Sequence, residues 1–430
     1  MMYDPHIAFE SDTLIREKQE ASLQALLQHV SAHSPFYRDL FRDKGIDVGS
    51  IRSLDDLPRI PTTTKEDIQL RNWDFLAVPR RQIAEYMSSS GTLGSPVTIA
   101  LTAADLERLA YNEYSSFLTA GGSPDDVYQL MLTLDRQFMA GIAYYLGIRK
   151  LGAGLVRVGP GAPFLHWDTI RRVQPTVLVG VPSFLVKLLE FAREQGFDPN
   201  SSSVKSIICI GEPIRNQQGQ LNRLGERIST EWNVRLISTY ASTEMQTAFT
   251  ECIHGQGGHL NPELLVLELL DEAGNPVPDG EPGEVTVTTL GVEAMPLLRY
   301  RTGDICIRHR GLCACGRRTD RLSAVLGRKK QMIKLKGTSF YPPALFDLLH
   351  ELAEVTDYVV ELQSNEWGTD EVILHLQVQE AGEQAGGRIR ELLRSRLRVI
   401  PEIRFCTPQE IHRLQFPEGG RKAQKLVDRR

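Results

Sequence analysis

The chain has 430 residues, 41% hydrophobic and 24% charged, which is ordinary globular composition for a protein of two or three domains. A formal net charge of -5 argues against a broadly basic nucleic-acid binder, and no apolar run is long enough to span a bilayer. Met1–Pro5 lacks the charged and apolar regions of a secretory leader, and six cysteines over this length do not make a disulfide scaffold, so a cytoplasmic setting is expected.

The spacing of Leu14, Ile15, Leu23, Leu26, Leu27 and Val30 predicts an amphipathic helix from Asp12 to about His33, and Pro58, Pro61 and Thr62–Thr64 then break the pattern. From about residue 100 to 245, helical stretches alternate with short apolar runs such as Val177–Val181 and Ile207–Ile210. These read as buried strands of an α/β layered core. Leu264–Thr289 is rich in Val, Leu and Thr around the turn signal Asp271–Pro276, so a β-rich subdomain is expected over about 250–327. Residues 328–430 predict a small, mobile α+β lid domain: a helix at Pro342–Leu352, a strand alternating through Val372, Leu374, Leu376 and Val378, and a helix marked by Ile389, Leu392, Leu393 and Leu397. Residues 1–327 form the large domain in this reading.

Four segments carry chemistry. Ser88–Pro96 packs hydroxyls and glycines into a short loop, either a cradle for phosphate or a flexible surface turn; it lacks the Gly-Lys-Ser/Thr ending of a Walker A loop. Ser238–Glu244 follows an apolar run and delivers an aromatic ring, a hydroxyl and a carboxylate, suited to a nucleotide and its metal or else to a strand entering a capped helix. In Arg299–Asp304, an Asp beside a glycine turn suits ribose hydroxyls or a plain ion pair with arginine. Gly327–Gly337 is a basic cluster that reads locally as a solvated face. Separately, Cys252, His259, Cys313 and Cys315 supply three thiols and an imidazole, a common structural zinc set, with His254 as a competing ligand and reduced loop residues as the plainer alternative.

Taken in order, these segments resemble the adenylate-forming superfamily of acyl-CoA synthetases, peptide-synthetase adenylation domains and luciferases, and within it the phenylacetate–CoA ligase branch. Ser34–Arg38, Leu57-Pro58 and Pro61–Asp67 are similar to that branch's N-terminal region, Gly211–Pro213 to its adenine-side turn, and Lys422–Asp428 to its catalytic-lysine motif. The resemblance implies that Ser89, Ser90, Gly91, Thr92 and Gly94 contact ATP phosphates. It implies that Glu212 and Tyr240 bracket adenine, Thr243 binds the α-phosphate, Glu244 holds Mg²⁺, and Asp304 with Arg328 binds ribose. Lys330 falls at the hinge and Lys422 becomes the catalytic cation. The branch often shows the same Cys…His…Cys-x-Cys pattern, which favours His259 over His254 for structural zinc.

Three departures stand out: Ser95 replaces a usual Lys, Ala241 a usual Gly, and Arg421 a usual Gly, which leaves Lys425 as a rival to Lys422. The implied activity is ATP-dependent ligation of a small, aromatic carboxylic acid to coenzyme A through an acyl-adenylate, with pyrophosphate released. The substrate pocket falls on Asp135–Gly141 and Val181–Phe184. The rival readings are loading of a carrier-protein phosphopantetheine, arrest at adenylyl transfer, and a degenerate scaffold without catalysis.

Overall fold

In the computed structural model, the apolar runs bounded by glycine and proline become the middle of a large sheet. The structure describes residues 3–89, 97–335, 338–352, 354–364, 370–378, 383–397, 399–416 and 423–430. Two units form, Met1–Val325 and Leu326–Arg430.

In the larger unit, β1 (Ile83–Ser88) and β2 (Thr98–Thr102) make an antiparallel pair of their own. The main sheet draws on β3 (Val127–Leu130), β4 (Gly154–Arg157), β5 (Val177–Gly180), β6 (Ser206–Ile210) and β7 (Arg235–Ser242), which pair parallel in the order β4-β3-β5-β6-β7. β5 is buried at every position, as expected of a strand covered on both faces. The helix Ala103–Thr119 leads from β2 into β3, and helices including Met139–Leu151 and Pro182–Glu194 connect the parallel strands. The sheet then changes sense. β8 (Thr247–Glu251) pairs antiparallel with β7, and β9 (Gly258–His259), β10 (Leu265–Leu270), β11 (Pro282–Thr289), β12 (Tyr300–His309) and β13 (Arg321–Leu322) continue antiparallel. The Asp271–Pro276 turn joins β10 to β11, closed by the Asn275 amide donating to Asp271 Oδ1 at 2.8 Å.

Buried arginines bind this unit together. Arg108, on the helix Ala103–Thr119, is 1% exposed. It donates to the carbonyls of Leu290 (2.7 Å), Gln246 (2.9 Å) and Leu264 (2.7 Å). Arg299 makes a two-point contact with Glu268 at 2.9 and 3.0 Å and also donates to the Ile60 carbonyl.

In the smaller unit, a four-stranded sheet runs Glu402–Phe405, Asp370–Val378, Val355–Ser364, Leu426–Asp428. The middle pair is antiparallel and each outer strand is parallel to its neighbour. The helices Pro342–His350 and Glu383–Leu397 pack Leu345, Leu349, Ile389 and Leu393 into one core with Val360, Leu362, Val372 and Leu374. Among the described residues no helix is long and apolar enough to cross a membrane.

Replacing Arg108 with Met removes its donors from the Leu290 and Gln246 carbonyls, each costing about 1–3 kcal/mol, while the Leu264 carbonyl keeps the Leu290 amide as a donor. Urea unfolding is expected to show a loss of about 2 kcal/mol or more, and a change within ~0.5 kcal/mol, as at an ordinary surface site, would refute the role given to Arg108.

Candidate active site

The sheet changes from parallel to antiparallel at β7, and the Ser238–Glu244 segment occupies that place. Instead of entering a capped helix, the chain turns back through Thr243–Gln246 into β8; the Met245 amide donates to Ser242 Oγ at 3.3 Å, and Gln246 takes φ 52°. A non-glycine residue in that conformation is uncommon and marks a turn held in place by its surroundings, here by Arg108 on the Gln246 carbonyl.

Tyr240 and Asp304 come together. The Tyr240 hydroxyl donates to Asp304 Oδ2 at 2.9 Å, and the Tyr240 ring stacks with Phe249 at 5.9 Å between centroids. Burial and the Asp304 charge push the Tyr240 hydroxyl well above its ordinary pKa, so it remains a donor to the carboxylate. Gly303, at φ +79°, sits in the irregularity where β12 shifts register against β11, and Asp304 follows it, its amide donating to Thr302 Oγ at 3.1 Å.

Glu244 is buried and pairs with Lys65 at 3.2 Å. Lys65 opens the helix Lys65–Arg71, where Thr64 and Asp67 form a reciprocal cap. The preceding Thr63 is stitched to the Asp304 strand: its amide donates to the Arg299 carbonyl, the Arg301 amide donates to its carbonyl, and its hydroxyl donates to the Leu298 carbonyl. Two ends of the sequence pattern are thus locked together behind Glu244. In the sequence, Pro61–Asp67 marks only a resemblance to an N-terminal region, and Lys65 has no visible role there, since a lone Lys after a capping Thr carries no local signal.

Ser89 closes the base of the glycine-rich loop, its amide donating to the Val97 carbonyl and its Oγ accepting from the Val97 amide, at 3.0 and 3.1 Å. Ser90, Gly91, Thr92 and Gly94 lie outside the described residues. Met87 and Val97 flank the loop and belong to the same apolar cluster that Tyr240 packs against, so the loop's base and the Tyr240–Asp304 pair share one scaffold. Glu212 accepts from the Ser183 amide and hydroxyl, both at 2.9 Å, at the start of the helix Pro182–Glu194. Asp135–Phe138 forms a turn with Arg136 and Gln137 both at positive φ, tied to the end of β1 by the Ser88 amide on the Gln137 carbonyl; Phe138 is exposed. Phe184 is committed to an edge contact with His166. In the smaller unit, Arg328 lies exposed on the short strand Gly327–Arg328, and Lys330 lies in the turn Lys329–Gln331. Lys425 pairs with Asp357 and sits over the Tyr358 ring at 4.8 Å, while Lys422 lies outside the described residues.

Apart from these, the ligand atoms of Cys252, His259, Cys313 and Cys315 all lie within 4.8 Å of one another. Cys252 Sγ and Cys313 Sγ are 3.7 Å apart, and Cys315 Sγ and His259 Nε2 are 3.6 Å apart, close to the edge of about 3.8 Å that a tetrahedral zinc with Zn–S near 2.3 Å requires. His259 Nδ1 faces Thr319 Oγ at 3.1 Å, leaving Nε2 for the cluster. Burial, with Arg317 and Arg321 nearby, lowers the His259 pKa to about 3, so the ring is neutral, as a ligand must be. His254 is exposed and lies outside this group.

A tyrosine, two carboxylates and a glycine-rich loop base gathered on one α/β scaffold define an adenylate-forming enzyme. Residues 20–294 match the family of AMP-binding enzymes, and the chain belongs to it. The phenylacetate-coenzyme A ligase of Thermus thermophilus is 32% identical over 88% of this chain and 85% of its own length. That of Aromatoleum evansii is 27% identical over 97% and 94%. A 2-hydroxyisobutyryl-CoA ligase in the postadenylation state shares the fold, with a TM-score of 0.85 at 22% identity over 99% of this chain and 92% of that one. The chain is a member of the phenylacetate–CoA ligase branch: an AMP-forming ligase that adenylates an acid with ATP and then makes the coenzyme A thioester.

Lys65→Met strips the buried Glu244 carboxylate of its cation. The variant is expected to melt a few degrees lower than the parent, because a buried carboxylate is left without its partner. An unchanged melting temperature would contradict this pairing.

Proposed function

We propose that this ligase takes an aryl or arylacetic acid in the cytoplasm, with Lys422 as the cation that drives adenylation. The observation that carries the nucleotide half of the reading is the Tyr240–Asp304 hydrogen bond, which sets a ring and a carboxylate side by side. Tyr240 packs on adenine, and Asp304, assisted by Arg328, accepts from ribose hydroxyls. Glu212 borders the base, and the Ser89–Gly94 loop holds the β- and γ-phosphates. Thr243 donates to the α-phosphate. Glu244 would hold Mg²⁺, which would supply positive charge to the phosphate oxygens.

The acid's carboxylate attacks the α-phosphorus in line with departing pyrophosphate. Charge grows on the phosphoryl oxygens, and fixed donors at that point lower the barrier most. Lys422 is favoured over Lys425 as the donor because Lys425 is already engaged with Asp357 and Tyr358 within its own sheet. Rotation about Lys330 then exchanges Lys422 for the Lys334–Gly337 segment and admits the thiol. The exposed Phe138, on a strained turn bonded to the end of β1, supports an aromatic acid, since its ring offers a face for stacking.

The cysteine–histidine set fits a structural zinc: Cys252, His259, Cys313 and Cys315 would fill all four positions, leaving none open for chemistry. Bound there, it would cross-link β9 and the start of the β8–β9 connection to the Cys313–Cys315 knuckle.

Lys422→Ala is expected to abolish acid-dependent pyrophosphate release while sparing thioester formation from supplied acyl-adenylate; equal loss in both half-reactions would reject Lys422. A panel of aromatic and aliphatic acids in the same assay tests the substrate class, with turnover confined to short aliphatic acids as the contrary result. Metal analysis of the purified chain should give about one zinc per chain, and Cys313→Ser should lose it together with thermal stability; a metal-free chain of full stability would overturn the zinc assignment.

A further inference from the structure

The smaller unit holds a side-chain chain that the ligase reaction does not use. Glu361 and His375 lie on adjacent antiparallel strands, two residues out of direct register, and so share one face of the sheet. Both are buried. Glu361 Oε2 and His375 Nε2 are 2.7 Å apart, and on the other side of the ring His375 Nδ1 is 3.7 Å from Cys406 Sγ. Cys406 stands just past the edge strand Glu402–Phe405, its amide donating to the Leu376 carbonyl at 2.9 Å, and immediately before Thr407, which caps the helix Pro408–Gln415. The thiol is half-buried and free.

The order of atoms matters. Glu361 accepts from Nε2–H, which leaves the Nδ1 lone pair toward Cys406 Sγ, whose S–H has Nδ1 at 3.7 Å and the Arg404 carbonyl at 3.8 Å as acceptors. Glu361 is itself fixed: burial works against its charge, yet donors from Gln363 and His375 and the Arg429 guanidinium at 3.0 Å hold its carboxyl below the usual range. Around Cys406 the balance is the reverse. Burial and the Glu410 carboxylate push the thiol up, with Arg404 pulling the other way. The resting group is therefore a thiol, and its proton must go to a base as it attacks.

We propose that Cys406, His375 and Glu361 form a thiol–imidazole–carboxylate relay that makes Cys406 a site of reversible thiolation by small disulfides. In the exchange, His375 Nδ1 takes the thiol proton as Cys406 Sγ attacks one sulfur of the disulfide. The new S–S bond forms as the old one breaks, and the leaving thiolate receives the proton from the imidazolium, so electrons and protons balance without another reagent. Among the six cysteines, Cys209, Cys252, Cys306 and Cys313 are buried, and Cys315 belongs to the metal set.

The test treats the full, zinc-loaded chain with oxidised glutathione at neutral pH and follows the Cys406 peptide by mass spectrometry. Native Cys406 is expected to gain the mixed disulfide about tenfold faster than the same residue in the urea-unfolded chain, since an unactivated thiol is only a few per cent thiolate at that pH. His375→Gln should bring the native rate down to the unfolded one while Cys406 stays as accessible to a neutral-pH alkylating probe in large excess. A native rate no faster than that of the unfolded chain overturns the relay, whether or not the His375 variant folds. So does a folded His375 variant whose Cys406 reacts as fast as the parent's.

Discussion

The hydrogen bond from Tyr240 to Asp304 spans a sequence separation of 64 residues and joins the last parallel strand to the antiparallel half of the sheet. Strand order makes it possible. Because β7 pairs parallel on one side and antiparallel on the other, its end faces the strand that brings Gly303 and Asp304 across. A tyrosine hydroxyl and a buried carboxylate held away from water are each costly alone; together each satisfies the other.

Charge is buried around this pair in a consistent manner, each group with partners. Arg299 is matched by Glu268, Arg301 by Glu284, and Glu244 by Lys65, while Arg108 has no counter-ion in contact among the described residues and spreads its donors over backbone carbonyls. These pairs contribute little net attraction once desolvation is counted, but breaking one leaves a stranded charge. They therefore fix register more than they add stability. The segment carrying Thr63, the turn at Gln246 and the strand of Asp304 have one arrangement in which every buried group is satisfied. In the interior of the same sheet, where β9 pairs with both β8 and β13, the ligand atoms of Cys252, His259, Cys313 and Cys315 converge to within 4.8 Å of one another.

Much of this was legible in the sequence where a physical period or a special residue was present. The helix Asp12–His33 follows from apolar spacing, Val177–Gly180 and Ile207–Ile210 from short apolar runs, and the Asp271–Asn275 turn from its residue types. The candidate site was legible as an ordered series of motifs, and Tyr240 and Asp304 do meet. What the sequence concealed are contacts between distant segments that lack a local signature. Lys65 reads as one more surface lysine, and nothing near Arg108 announces that it will be 1% exposed. The helix suggested after Ser242 gives way to a turn because pairing of β8 with β7 satisfies more backbone than a helix cap would. His375 and Cys406 are 31 residues apart and belong to no motif, so only the parallel pairing of their strands reveals them.

The central claim, that Tyr240 and Asp304 act as one unit on the nucleotide, is tested most directly by a double-mutant cycle on ATP affinity using Tyr240→Phe, Asp304→Asn and the combined variant. Calorimetric titration is predicted to show that the two losses are not additive, with a coupling of about 1 kcal/mol or more. Losses that simply sum, to within ~0.3 kcal/mol, would mean that the two side chains meet in the fold but serve the ligand separately, if at all.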